Sequence, residues 1–334
     1  MDILSYTPHE IIQNLVEKLR AYYIFPDITE QICTLLQKNL ENGEYSDISE
    51  GELFALVLTI DLQEVNHDEH LWVRWHPEPL PDEQETLRLN PEWQAERLLE
   101  ARLQNFGIHK VERLSGNIGY IDIRYFHHPA WAGETASEAM NFLANTSALI
   151  IDLRKCTGGY PGMIALVCSY LFGEEPVHLN SIYWRDDDLT QQVWTLPYVP
   201  GRRLSDQLVY VLTSKGTFSA GEEFASILQT RKRAVVVGEP TDGGAHPGAS
   251  YRIHPHFEAF IPVGRVINPL TGKDLEGVGI TPDIPLPQEN AFRAAYQLAL
   301  KAVMEHFAES TSKQYQDLVK EAQAALRNLE LSEE

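Results

Sequence analysis

Residues 208–229 read LVYVLTSKGTFSAGEEFASILQ. The run LVYVLT is short, apolar and rich in branched side chains, the texture of a strand buried on both faces. From 219 to about 231 the pattern is helical, and Ser219 with Glu222 matches the S-x-x-E capping box. The stretch therefore predicts strand, turn and helix, with Ser219 at the junction. Two readings of that serine are open, helix cap and nucleophile. They are compatible, because a serine at a strand-to-helix turn stands at the helix N-terminus, where the amide of Ala220 points outward and can stabilise an oxyanion.

The same texture extends on both sides. NIGYIDI, ALIIDL and AVVVG are further short apolar runs, separated by helix-like stretches at about 133–145, 160–172 and 219–231. Strands alternating with helices predict an α/β fold, a mostly parallel sheet flanked by helices. YRIHPHFEAFIPV, 251–263, predicts a strand pair. At the C-terminus Phe292, Ala295, Ala299, Val303 and Phe307 form one helical stripe, and QYQDLVKEAQAALRNLE a last, more polar helix. The N-terminal part reads as helices. Thr7-Pro8 with Glu10 opens the first, which carries Ile11, Ile12, Leu15, Val16 and Leu19 on one face. YYIFPD interrupts. A second helix turns Ile28, Ile32, Leu35 and Leu36 inward, and Ser49 with Glu52 opens a third carrying Leu53, Leu56, Val57 and Ile60. A strand is expected to begin around His70. The expected organisation is an N-terminal helical region, 1–75, ending in the His70 strand; a connecting loop and helix, 76–115; and an α/β core with C-terminal helices, 116–334.

Composition narrows the function classes. Among 334 residues 48 are acidic and 27 basic, a net charge of −21, which disfavours nucleic acid and anionic membrane surfaces as partners. Three cysteines, Cys33, Cys156 and Cys168, make no disulfide framework and fit a reducing compartment. The N-terminus MDILSYTPHEIIQNLVEKLR lacks the basic start and apolar segment of a signal peptide, and no run approaches the ~18 apolar residues of a membrane helix. A cytoplasmic protein without membrane insertion is the expectation. The pattern specifies no oligomeric state.

A serine nucleophile needs a base. Lys215 lies before the turn and Lys232 at the helix end, where it complements the dipole. Among the twelve histidines, the candidates are His67 and His70 in NHDEH, His246 in GGAHP, and His254 and His256 in IHPHF. His67 and His70 stand three apart, but no carboxylate or cysteine set of known metal spacing accompanies them, so no metal is expected. In DLRKCTGGYPG, 152–162, Gly158 and Gly159 form a loop after a strand. It is an ordinary turn on one reading and, on another, a set of exposed amides where open α/β sheets bind ligands. There is no Walker lysine and no G-x-G-x-x-G, so no nucleotide cofactor is expected. Glu276, in LEGVG, is a surface carboxylate or one that orients a histidine.

Taken in order, DEHLWV (68–73), GNIGYIDI (116–123), LIIDLRKCTGG (149–159), VYVLTSKGTFSAGEEFASILQ (209–229), AVVVGEPTDGGAHP (234–247) and IPVGRVINPLTGKDLEGVGITPDI (261–284) resemble the tail-specific or C-terminal processing serine peptidases. The resemblance is closer to the branch that includes interphotoreceptor retinoid-binding protein modules, related to the tricorn protease core, and covers roughly residues 10–290. It implies a crotonase-like ββα core and a peptide or protein substrate, with no cofactor. It implies Ser219 as nucleophile, His70 as base and Glu276 as the histidine's support, with the amides of Ala220 and of Gly158 or Gly159 as oxyanion hole. The processing peptidases proper use a Ser-Lys pair, with the lysine in a segment like GEPTDGG; here Gly243 and Gly244 stand there, which favours the tricorn-like plan. That plan has a serine next to the histidine, where this chain has Glu69. Many relatives carry a PDZ domain, which needs about 80–90 residues. Only about 40 separate Trp75 from Gly116, so none is expected. A serine peptidase is the leading expectation. A binding module for retinoids or fatty acids on the same fold is the alternative, and an esterase a third.

Overall fold

The computed structural model describes residues 7–81 and 91–331. Residues 82–90 of the connecting loop and helix expected at 76–115, and residues 1–6 and 332–334, lie outside the described residues. The chain forms two compact units, one of Met1–Leu99, Ser181–Gln191 and Gly244–Ile267, the other of Glu100–Asn180, Gln192–Gly243 and Asn268–Glu334. The described helices are α1 (Pro8–Tyr22), α2 (Pro26–Glu41), α3 (Gly51–Glu64), α4 (Pro91–Leu103), α5 (Pro129–Leu143), α6 (Pro161–Leu171), α7 (Ala220–Thr230), α8 (Gln288–His306) and α9 (Lys313–Leu331). The strands are β1 (Trp72–Trp75), β2 (Ile108–Leu114), β3 (Ile118–Ile123), β4 (Ala148–Asp152), β5 (His178–Trp184), β6 (Leu189–Trp194), β7 (Leu208–Thr213), β8 (Val235–Gly238), β9 (Gly248–His254), β10 (Phe257–Pro262), β11 (Gly264–Ile267) and β12 (Ile284–Pro285).

The second unit is the expected α/β layer structure. Its sheet runs β12-β8-β7-β4-β3-β2, and every neighbouring pair is parallel except β2 with β3. Successive residues of the central strands serve opposite faces. Leu149, Ile151, Val209, Val211 and Val236 join the core built with α5, α6 and α7. Ala148, Ile150, Tyr210, Leu212 and Val237 join the core built with α8 and α9. Burial on both faces is why these strands read as unbroken apolar runs. At ~25 cal/mol per Å², sequestering such side chains stabilises the sheet by roughly 1.5–3 kcal/mol each.

The first unit packs α1, α2 and α3 with the antiparallel sheet β1-β10-β9. Thr7 caps α1 by accepting the Glu10 amide, with Pro8 in the first turn. The Arg185 guanidinium satisfies the carbonyls of Arg20 and Tyr23 at the other end. Two expectations are corrected here. α3 buries Phe54, Ala55, Leu58 and Leu62, while Leu53, Leu56 and Ile60 are 45, 55 and 57% exposed. Thr59 Oγ1 both donates to the Val73 carbonyl and accepts the Val73 amide, so α3 is turned to put Thr59 against β1. Second, the strand starts at Trp72, and His70 lies in the turn before it.

Candidate active site

Ser219 follows β7 across a turn held by its own buried hydroxyls. Thr217 Oγ1 donates to the Leu153 carbonyl at 2.8 Å and accepts the Ser214 amide at 3.0 Å; Ser214 Oγ donates to the Arg154 carbonyl at 2.6 Å. The Phe218 amide donates to the Cys156 carbonyl at 2.9 Å. Stitched to the 153–156 loop, the chain enters α7 with Ser219 at φ 52°, ψ −118°. A non-glycine residue there costs about 1–3 kcal/mol and persists only where its surroundings impose it. Strained serines at strand-to-helix turns are the form of the nucleophile elbow, which thrusts the hydroxyl outward.

Glu222 imposes much of that conformation. It is fully buried. Its Oε2 accepts the Ser219 amide and its Oε1 the Gly243 amide, both at 2.9 Å. The Gly243 carbonyl then accepts the Gly277 amide at 3.0 Å. Gly277 follows Glu276 in a turn closed by the amides of Val278 and Gly279 on the Leu275 carbonyl. One carboxylate thus links the Ser219 turn to the Glu276 turn. Position 243 has φ +96°, and a Cβ there would lie 2.4–2.6 Å from Leu275 O, Gly279 N and Val278 N. No side chain, lysine included, fits at that position.

The two-glycine loop lies against the serine. A Cβ on Gly158 would sit 3.0 Å from Ser219 Cβ and 3.6 Å from the Ala220 nitrogen; one on Gly159 would strike Phe126 O at 2.3 Å. Both glycines have φ above +120°. The Phe126 amide donates to Gly158 O at 2.8 Å and the Tyr160 amide to Phe126 O at 2.7 Å, which fixes the loop's path. Ser219, Ala220, Gly158 and Gly159 are therefore gathered in one unit, with Glu276 joined to them through Glu222 and Gly243.

His70 belongs to the other unit. It is 7% exposed, with its ring 6.2 Å from that of Phe260. Burial lowers its pKa to about 4, against the opposing pull of Asp68, with His246 lowering it further. It is a neutral imidazole at pH 7, the form a proton acceptor requires. Its amide donates to Asp68 Oδ1 at 3.0 Å, an Asx turn that holds the residue before β1. Asp68 Oδ2 lies 2.9 Å from His246 Nδ1 and accepts the Tyr23 hydroxyl at 3.0 Å. Burial alone would raise the Asp68 pKa; the bond and charge of His246, the charge of His70 and the Tyr23 bond outweigh it and hold the carboxyl below its ordinary range. His67 is exposed. Sequence reasoning passed over Asp68 and took Glu222 only as a cap. The aspartate two residues before His70 is an Asx-turn signal, whereas His246 in GGAHP carried no signal setting it apart from other histidines.

Residues 117–286 match the model of peptidase family S41, and residues 3–104 match the N-terminal domain of peptidase S41 in eukaryotic IRBP. A carboxyl-terminal-processing peptidase 2, chloroplastic, from Arabidopsis thaliana is 32% identical over 177 residues, covering 52% of this chain. The matched region spans 33% of that relative's length. Among solved structures, the fold is similar to a putative peptidase from Parabacteroides merdae (TM-score 0.60, 18% identity, 89% of this chain and 98% of that one). It is similar also to the photosystem II D1 C-terminal processing protease (TM-score 0.53, 13% identity, 85% and 94%). The tricorn protease shares it too (TM-score 0.54, 12% identity, 91% and 37%). With the family model matching half of its length over the very segments that carry Ser219, the glycine loop and Glu276, the chain belongs to peptidase family S41.

Proposed function

We propose that this chain is a serine peptidase acting on peptides or proteins through an acyl-enzyme, as an endopeptidase or a carboxyl-terminal processing enzyme. The observation that carries the reading is the strained Ser219 turn at the N-terminus of α7, with the Gly158–Gly159 loop against it. Ser219 attacks the peptide carbonyl, and His70 takes its proton and returns it to the leaving amine. Glu276 supports the imidazolium. The amides of Ala220 and of Gly158 or Gly159 receive the oxyanion, and losing one such donor costs on the order of 100-fold in rate. A lysine base is disfavoured by the steric closure at position 243. No cofactor or metal takes part in this scheme. A cytoplasmic site is proposed from the three free thiols; the Arabidopsis relative is chloroplastic by name. Among the described residues no helix is long and apolar enough to cross a membrane.

A fluorophosphonate probe tests the chemistry. Labelling of the wild type that disappears in both Ser219→Ala and His70→Ala is the expected result. The match of residues 3–104 to the IRBP-type N-terminal domain favours a second reading, a carrier of retinoids or fatty acids. Absent labelling together with stoichiometric retention of such a lipid would replace the peptidase with the carrier.

A further inference from the structure

Asp68 is fully buried and receives three groups at once, the amide of His70 on Oδ1 and the Tyr23 hydroxyl and His246 Nδ1 on Oδ2. Tyr23 is held in turn by Asn66 Nδ2 at 2.6 Å. His246 is 2% exposed, with its ring edge-on to Phe25 at 5.1 Å. All of these residues belong to one unit. A carboxylate buried this completely is sustained by donors and by a neutralising charge, and His246 is the one cation-forming side chain bonded to it among the described residues.

The arrangement matters for the neighbouring imidazole. An ionised, uncompensated aspartate two residues away favours the protonated form of His70 and so removes the base from service. A protonated His246 on the same carboxylate cancels that field. The geometry points to Asp68 and His246 as positioning residues for His70, Asp68 fixing the turn that carries it and a protonated His246 screening the carboxylate so that the His70 imidazole stays neutral. This inference rests on the proposed role of His70 as base. The charged groups acting on His70 have the signs the inference requires, Asp68 raising its proton affinity and His246 lowering it. β10 contributes the uncharged Phe260 ring, and the adjoining His67 and Glu69 are exposed, where solvent screens them. Tyr23 and Phe25, beside His246, add a hydroxyl and an apolar ring.

The test uses the full chain and NMR. In the wild type the side-chain nitrogen shifts of His246 at pH 7 are expected to show both nitrogens protonated; a neutral ring overturns the inference without any mutant. His246→Asn keeps an N–H donor for Asp68 but removes the charge. The His70 titration midpoint, assigned by its loss in His70→Gln, is expected to rise by about one unit, tenfold in proton affinity. The acidic limb of the kcat/KM profile moves up with it. Asp68→Asn added to His246→Asn abolishes the rise. An unchanged midpoint in His246→Asn sinks the inference, because a purely structural histidine moves activity but not the titration of its neighbour. Failure of the base reading itself looks different: fluorophosphonate labelling then survives in His70→Ala, whatever the titration shows.

Discussion

The main-chain amide of Ser219 donates to Glu222 Oε2 at 2.9 Å, three residues further along the same chain. The bond does what a helix cap does, satisfying an orphan donor at the start of α7. It does more because the second oxygen of the same carboxylate reaches Gly243, whose carbonyl holds the turn after Glu276. The cap residue is thus also the brace between two candidate catalytic positions.

Replacing Glu222 tests that brace. Hydrogen bonds to a charged group contribute about 1.5–3 kcal/mol each, so Glu222→Ala, which orphans two donors, is expected to lower stability by about 3 kcal/mol or more. Glu222→Gln retains the shape but aims its amide group at one of the two N–H donors. Displacing a nucleophile by about 1 Å costs on the order of 100-fold, and the fluorophosphonate labelling rate of Glu222→Gln should fall by that order. Urea denaturation and labelling kinetics give the two numbers, with Ser219→Ala as the stable, unlabelled control. Wild-type labelling in Glu222→Gln counts against the brace.

Gly243 and Gly277 separate steric closure from backbone strain. Both have positive φ, but only at 243 would a Cβ meet three backbone atoms inside 2.6 Å; at 277 nothing lies within 4 Å. Gly277→Ala should cost only the left-handed penalty of roughly 1–2 kcal/mol. Gly243→Ala and Gly243→Lys should cost more than about 3 kcal/mol or prevent folding, with no lysine-based activity gained. Thermal melts of the three variants rank them, and a stable Gly243→Lys contradicts the closure.

Glu223, the next residue of α7, predicts a pH dependence of stability. Burial raises its pKa from 4.5 to about 7, with the Asn180 hydrogen bond pulling the other way. Asn180 Nδ2 donates to Glu223 Oε1 at 2.7 Å. Below pH 4.5 both states hold the proton and the group contributes nothing. Between 4.5 and 7 the unfolded chain ionises while the folded one does not, so stability falls as pH rises, by about 3 kcal/mol once pH 7 is passed. Glu223→Gln should flatten this component of the stability curve and be the more stable protein at pH 8. Denaturation midpoints at pH 5 and pH 8 decide it; parallel curves for the two proteins would falsify the assignment.

The thiols should be silent in the native state. All three cysteines are free and buried. Burial pushes the thiols of Cys33 and Cys156 up, to about 11 and about 12, and raises that of Cys168 as well. Thiolate is the reactive form. A disulfide reagent at pH 8 is expected to titrate none of them in the folded protein and all three in denaturant. Rapid native modification of Cys156, which packs under Gly221, would contradict this placement.

The strands that could be read from the sequence are those whose two faces are both buried. LVYVL and ALII, the strands β7 and β4 without their last residues Thr213 and Asp152, are apolar because α5, α6 and α7 cover one face and α8 the other. β6, LTQQVW, passed unread because most of it is exposed and its polar residues carry no alternation. β2, IHKVERL, gives no clear signal either, being the outer strand of its sheet with only Ile108 buried. In α3 both faces are apolar, so periodicity could not choose between Leu53-Leu56-Ile60 and Phe54-Leu58-Leu62; the position of β1 chose.

The order of the central strands β3, β4, β7 and β8 and their helices, the caps at Thr7 and Ser219, the family resemblance and the candidate residues Ser219, Gly158, Gly159 and Glu276 were written in local pattern, because hydrophobic period, turn chemistry and capping act over a few residues. The left-handed strain at Ser219, the second bond of Glu222 to Gly243, the closure of position 243 and the pairing of Asp68 with His246 were decided only in three dimensions. Each depends on groups from about 20 to nearly 180 residues apart, or on space left between them, and no short-range rule encodes which distant donor will fill a buried acceptor.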